Sequence, residues 1–161
     1  MKRFILLLAT VLLCVRMTGE TLVPDSISNP IRTGFHPDPS ICRVGEDYYL
    51  VTSSFTWFPG LPIYHSRDLA NWSLIGHALT NPKAIDFSGM TDNDGIWAPT
   101  LRYHNGTFYL ITTAHGCGGN FYMTAKNPAG PWSDPVWLKD APGIDPSLFF
   151  DEDGRCYYTG N

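Results

Sequence analysis

Charge is scarce in this 161-residue chain. Lys and Arg number 11 against 15 Asp and Glu, the formal net charge is -4, and charged residues make up 16%. Nothing resembles a basic stripe, which argues against a nucleic-acid backbone as partner. Glutamate is scarcer still, confined to Glu20, Glu46 and Glu152. Cysteine is sparse: with Cys14 set aside in the N-terminal run, Cys42, Cys117 and Cys156 are an odd number without the tight spacings of a zinc site or a disulfide framework, so buried free thiols are expected. No segment beyond the N-terminus sustains apolar residues at i, i+3, i+4 and i+7 over three turns, so amphipathic helices are not expected. The single long apolar run, Phe4 to Val15, is too short for a comfortable membrane span.

That run follows Lys2 and Arg3, and small residues lie near Thr18-Gly19. The pattern reads as an export signal over 1–19, giving a secreted or periplasmic protein. Lipidation at Cys14 ranks below export because Leu13 before it is bulky. Residues 20–28 read as a linker. Asn71-Trp72-Ser73 and Asn105-Gly106-Thr107 match the glycosylation sequon, a pattern that also arises often by chance.

What the chain does have is hydrophobic residues at 43%, aromatics at 14%, 13 prolines and 15 glycines. That composition describes a globular protein of many strands and tight turns. Three segments repeat one pattern: Asp38 to Ser54 (DPSICRVGEDYYLVTSS), Ala98 to Ala114 (APTLRYHNGTFYLITTA) and Asp145 to Asn161 (DPSLFFDEDGRCYYTGN). Each opens on Asp-Pro or Ala-Pro, then gives a small hydroxyl residue, an apolar strand, a turn and an aromatic strand. Further strands are expected at Leu61 to Ser66 and Trp72 to Thr80 after the first copy, and at Phe121 to Lys126 and Pro135 to Leu138 after the second. Hairpin repeats of about 50 residues without helices suggest propeller blades, against a sandwich with chance similarity. If each copy begins the innermost strand of a blade, Asp38, Ala98 and Asp145 converge on one end of a central channel. Pro37 and Pro39 around Asp38 predict a stiff, extended backbone at the carboxylate.

Taken together, GFHPDPSICRVGEDYYLVTSSF, WFPGLPIYHSRDLANW, GIWAPTLRY, GNFYMTA and GIDPSLFFDEDG resemble glycoside hydrolase family 43, the five-bladed propeller β-xylosidases and α-L-arabinofuranosidases. The resemblance runs from about Asn29 to the last residue. It implies an all-β, five-bladed β-propeller of which 29–161 supplies the N-terminal two and a half blades. It also implies inverting hydrolysis of xylose- or arabinose-containing oligo- or polysaccharides. By position, Asp38 resembles the general base that activates water, and Asp145 the second aspartate, which orients the acid and raises its pKa. Phe55 and Trp97 resemble aromatic walls of the sugar subsite, with core packing as the alternative for both. His36 is a substrate-binding candidate beside Asp38, or a residue that orients that carboxylate or caps the strand. No cofactor is implied, and any channel metal would take its ligands from later blades.

Inversion needs a base and an acid on opposite faces of the sugar, their carboxyls about 6.5–9.5 Å apart. The family's acid is a glutamate on a later blade. Glu20 lies at the signal boundary, while Glu46 and Glu152 fall in hairpin turns, at the far end of strands that rise about 3.3 Å per residue. The chain on its own is therefore expected to be inactive and poorly soluble, with an unpaired strand edge. Two other readings stand beside the enzyme: a non-catalytic carbohydrate-binding propeller, and a glycosidase or fructosidase of a neighbouring family. His115 and Asn120 around HGCGGN are read either as substrate contacts or as a plain hairpin turn. Asp92 and Asp94 are read as a solvated loop, and His65, Asp68 and Trp72 as packing residues.

Overall fold

The computed structural model describes residues 26–161. The signal, the start of the linker and Cys14 lie outside the described residues. Within them the chain is all-β, with no helix long and apolar enough to cross a membrane. The first sheet is an antiparallel meander of β1 (Ser40–Val44), β2 (Asp47–Val51), β3 (Gly60–Ser66) and β4 (Ser73–Leu79). The second has β5 (Gly95–Ile96), β6 (Thr100–His104), β7 (Thr107–His115), β8 (Gly119–Ala125) and β9 (Val136–Trp137). There β6, β7, β8 and β9 repeat the meander, while β5 pairs with the far end of β7. A third hairpin joins β10 (Ser147–Phe150) to β11 (Cys156–Thr159).

The hairpins of the three sequence repeats are thus β1–β2, β6–β7 and β10–β11. Their first strands lie side by side, and the serine hydroxyls after Pro39 and Pro146 explain part of the reason. Leu101 N donates to Ser40 Oγ at 3.1 Å, tying β6 to the start of β1. On the other side, the Arg102 guanidinium donates to Ser147 Oγ at 2.9 Å and to the Leu148 carbonyl at 3.1 Å. Residues near the start of β6 therefore meet the starts of both neighbours. Asp38 and Asp145 each lie two positions before those starts, at the same end of the three inner strands.

The core lies between the first two sheets. Val51, Leu61, Ile63 and Leu79 from the first meet Ile96, Leu101, Leu110 and Phe121 from the second, all fully buried. Burying such side chains contributes roughly 1.5–3 kcal/mol each, which holds the two blades as one unit. The third hairpin docks through Phe150, whose ring stacks on His104 at 4.5 Å and leans on Tyr109 at 4.8 Å. Its other face is bare, with Phe149 at 62% and Tyr157 at 43% exposure.

The cysteine expectation is corrected. Cys42 and Cys117 are only half-buried, and Cys156 is exposed, because β11 has no further strand beside it among the described residues. All three are free thiols, and partial burial pushes each one's pKa up.

Candidate active site

The proline-flanked aspartate departs from the extended backbone its neighbours predict. Asp38 has a φ of 52°, and Asp145, the matching residue of the third repeat, has the same φ. Proline disfavours helical conformations before it but does not close the left-handed region to a short polar residue such as Asp. Six described non-glycine residues have positive φ, and three of them, Asp38, Phe55 and Asp145, belong to the candidate site. Such conformations cost about 1–3 kcal/mol each and cluster where surroundings over-determine them for function.

Those surroundings are visible at Asp38. Ser53, buried just past β2, donates from Oγ to Asp38 Oδ2 at 2.6 Å, and its backbone N–H donates to the Pro37 carbonyl at 3.1 Å. One carboxylate oxygen is thereby held, while nothing among the described residues donates to the other. An acid anchored on one side and open on the other is what a base aimed at water requires.

Phe55 is placed by a two-residue bridge between the sheets. Its N–H donates to the Ile96 carbonyl at 2.9 Å, and Ile96 N–H returns the bond to the Phe55 carbonyl at 3.0 Å. Its ring lies 5.8 Å from Phe35, which in turn lies 5.7 Å from Trp57.

Trp97 follows directly. Its N–H donates to the Thr113 carbonyl at 2.9 Å, its carbonyl accepts from Thr112 Oγ1, and its indole N–H donates to the Asn93 carbonyl at 2.8 Å. The His115 ring stacks on one indole face at 3.8 Å and 8°. His115 Nδ1–H donates in turn to Asp94 Oδ1 at 3.0 Å. Asp94 is therefore not the solvated loop acid expected from sequence. The Thr91 backbone N–H, the Thr91 hydroxyl and His115 together hold its carboxyl below the usual range. The chain Asp94–His115–Trp97 fixes the indole ring, and His115 spends its face on Trp97.

His36 makes no hydrogen bond to Asp38. Its Nε2 meets the Thr33 carbonyl at 3.1 Å, which can only accept, so Nε2 carries the proton and Nδ1 faces the Tyr64 hydroxyl at 3.5 Å. It lines a cleft of about 360 Å³ with Phe35, Ser53, Trp57, Tyr64 and His77. Ser53 is common to this cleft and to the Asp38 anchor, so the cleft adjoins the carboxylate.

Asp145 is exposed, followed by buried Pro146. Ile144 before it exchanges both backbone hydrogen bonds with Asn161, at 3.1 and 3.2 Å. Asn120 lies in β8 and not in the hairpin turn, and its buried side chain bonds to Thr113 and to the Ala141 carbonyl. His65, Asp68 and Trp72 are structural as expected. His65 pairs with Asp47 at 2.7 Å, Asp68 accepts from the Ala70 and Asn71 N–H groups, and Trp72 donates to the Leu69 carbonyl. Ser53 and Arg102 were not singled out from sequence: Ser53 carries no local motif, and the signal for Arg102 lay only in its place two residues past the start of a repeat strand.

Comparison with known proteins agrees with this geometry. The family model described as glycosyl hydrolases family 43 matches residues 27–161. A xylosidase/arabinosidase of Butyrivibrio fibrisolvens is 58% identical over 135 residues, 83% of this chain and 26% of that protein. A non-reducing end alpha-L-arabinofuranosidase of Bacteroides ovatus is 54% identical over 155 residues, 94% of this chain and 29% of the relative. Among solved structures, Bacteroides ovatus xyloglucan PUL GH43B superposes with a TM-score of 0.77 at 57% identity, covering 82% of this chain and 27% of its own. The xylan beta-1,4-xylosidase of Bacillus halodurans does so with a TM-score of 0.76 at 53% identity, over 83% and 27%. The chain spans about a quarter of the length of the curated relatives it matches. Its sheets are successive blades of the family's all-β propeller, and the chain belongs to glycosyl hydrolases family 43.

Proposed function

We propose that the protein to which this chain belongs hydrolyses glycosidic bonds of xylose- or arabinose-containing saccharides, with inversion. The single observation that carries this is the paired aspartates. Asp38 and Asp145 share an unusual φ of 52°, each precedes a proline, and each opens one of the inner strands that start together. Asp38 acts as general base. Ser53 holds one oxygen, and the other takes the proton of a water that attacks the anomeric carbon from the face opposite the leaving group. Asp145 orients the acid that protonates the leaving oxygen and, by its negative charge, keeps that acid protonated at a higher pH.

Phe55 and the face of Trp97 opposite His115 pack on the sugar ring, and His36 borders the cleft where the rest of the saccharide lies. The xylosidase and arabinofuranosidase names of the relatives support this substrate class. The proposal includes export through residues 1–19, no nucleic-acid partner and no cofactor in the chemical step.

The test is to incubate the complete gene product with 4-nitrophenyl β-D-xylopyranoside and α-L-arabinofuranoside and to follow the first-formed sugar by proton NMR. Release of a sugar of inverted anomeric configuration is expected from at least one of them. Retention of configuration would overturn the base assignment, and binding without hydrolysis would favour a carbohydrate-binding propeller.

A further inference from the structure

We infer that Asn120 is a positioning residue for Asp145, acting from the second blade on the turn that carries the aspartate into the site. The inference rests on the reading of Asp145 given above. Asn120 stands near the start of β8 and is 3% exposed. Its Oδ1 accepts from Thr113 Oγ1 at 2.6 Å. Its Nδ2 faces the carbonyls of Ala141 at 2.9 Å and Gly143 at 3.0 Å, and the Tyr158 hydroxyl at 2.9 Å. Carbonyl oxygens only accept, so the amide nitrogen must point at the turn, which fixes the flip of the side chain. Tyr158 donates its own proton to the Pro142 carbonyl at 2.8 Å and so accepts from Asn120.

Three successive carbonyls, 141 to 143, are thereby held by two side chains from different sheets. The turn is also closely packed, since a Cβ at Gly143 would lie 1.8 Å from the Asn161 carbonyl oxygen. Asp145 follows two residues later, with its backbone in the left-handed region and Ile144 pinned to Asn161. Asn120 ties this turn to Thr113, whose carbonyl accepts from the Trp97 backbone N–H. It therefore couples the position of the Asp145 carboxylate to the sugar wall. Displacement of a charged group by an ångström is enough to cost on the order of 10²-fold in rate.

The experiment uses the complete gene product with Asn120→Ala, Tyr158→Phe, Asp145→Asn and the Asn120→Ala/Asp145→Asn double variant, measuring kcat, KM, the pH profile of kcat and thermal midpoint. Asn120→Ala is expected to lower kcat at least about tenfold with KM within about threefold. It should move the basic limb of the pH profile in the same direction as Asp145→Asn, because one variant displaces and the other removes the charge that keeps the acid protonated. Tyr158→Phe should do the same to a smaller degree, and it carries the test if Asn120→Ala does not fold. In the double variant the loss should be little greater than in Asp145→Asn alone. An impaired Asp145→Asn beside Asn120→Ala and Tyr158→Phe variants with wild-type kcat and pH profile would overturn the inference alone. So would fully multiplicative losses in the double variant. Wild-type kcat in Asp145→Asn would overturn the role of Asp145 and the inference with it.

Discussion

Adding one methyl group at Gly95 should separate the first two blades at the edge of the proposed site. Gly95 has a φ of 94°, a conformation side chains rarely adopt. A Cβ there would lie 2.4 Å from both the carbonyl carbon and oxygen of Phe55 and 2.8 Å from Thr56 N. All three are backbone atoms, so relief requires the chain at Phe55 to withdraw from Ile96. That breaks the two hydrogen bonds of the bridge, worth about 1 kcal/mol each. Forcing a side chain into this backbone region adds about 1–3 kcal/mol. The Gly95→Ala variant should therefore lose about 3–5 kcal/mol, a large part of the 5–15 kcal/mol of a typical domain. Gly106→Ala is the control: its φ is 73°, but a Cβ there meets nothing within 4 Å. It should cost only the left-handed preference, about 1–2 kcal/mol. Guanidinium unfolding of both variants in the complete gene product measures the difference, and KM should rise for Gly95→Ala because Phe55 and Trp97 no longer share a wall. Equal stability of the two variants would refute the close approach on which this argument depends.

The Asp94–His115 pair gives a pH prediction. The Asp94 carboxyl is held below its ordinary value by Thr91 and then by His115, so its stabilising effect is complete above about pH 4 and fades as the pH falls through the lower folded-state value. Denaturation curves of wild type and Asp94→Asn should therefore differ at pH 7 and draw together as the pH is lowered below about 4; a constant offset throughout would contradict the pairing. The chain of residues 21–161 made alone should not hydrolyse aryl xylosides or arabinosides, because Glu46 and Glu152, the glutamates among the described residues, lie in the turns of the β1–β2 and β10–β11 hairpins, and its bare Phe149 and Tyr157 should favour aggregation. An active, monomeric product would overturn the placement of the acid.

The blades were legible because hairpins write themselves into short segments. Alternating apolar residues around Gly45, Asn105-Gly106 and Gly154 marked three strand pairs, and β3, β4, β8 and β9 fell within a residue or two of expectation. The pair Gly95–Ile96 was not legible, since a two-residue strand has no period and its partners come from His115 and Phe55. At the site, Asp38 and Asp145 stood out by their prolines. Their left-handed backbone did not, because pre-proline sterics alone point to extended chain and only Ser53, Ile144 and their neighbours decide otherwise. Asp94, His115 and Asn120 looked like loop polar residues. Thr91 holds Asp94 locally, but the links of Asp94 to His115, of His115 to Trp97 and of Asn120 to the turn before Asp145 span 18 to 38 residues, which no local pattern encodes.

The central claim is that the carboxylate held by Ser53 activates water. Its most direct test is kcat of Asp38→Ala in the complete gene product, with circular dichroism and thermal midpoint establishing that the variant is folded. General-base catalysis contributes about 10²–10⁴-fold, so kcat should fall by at least 10²-fold while the fold persists. A folded Asp38→Ala variant that retains near-wild-type kcat would contradict the account.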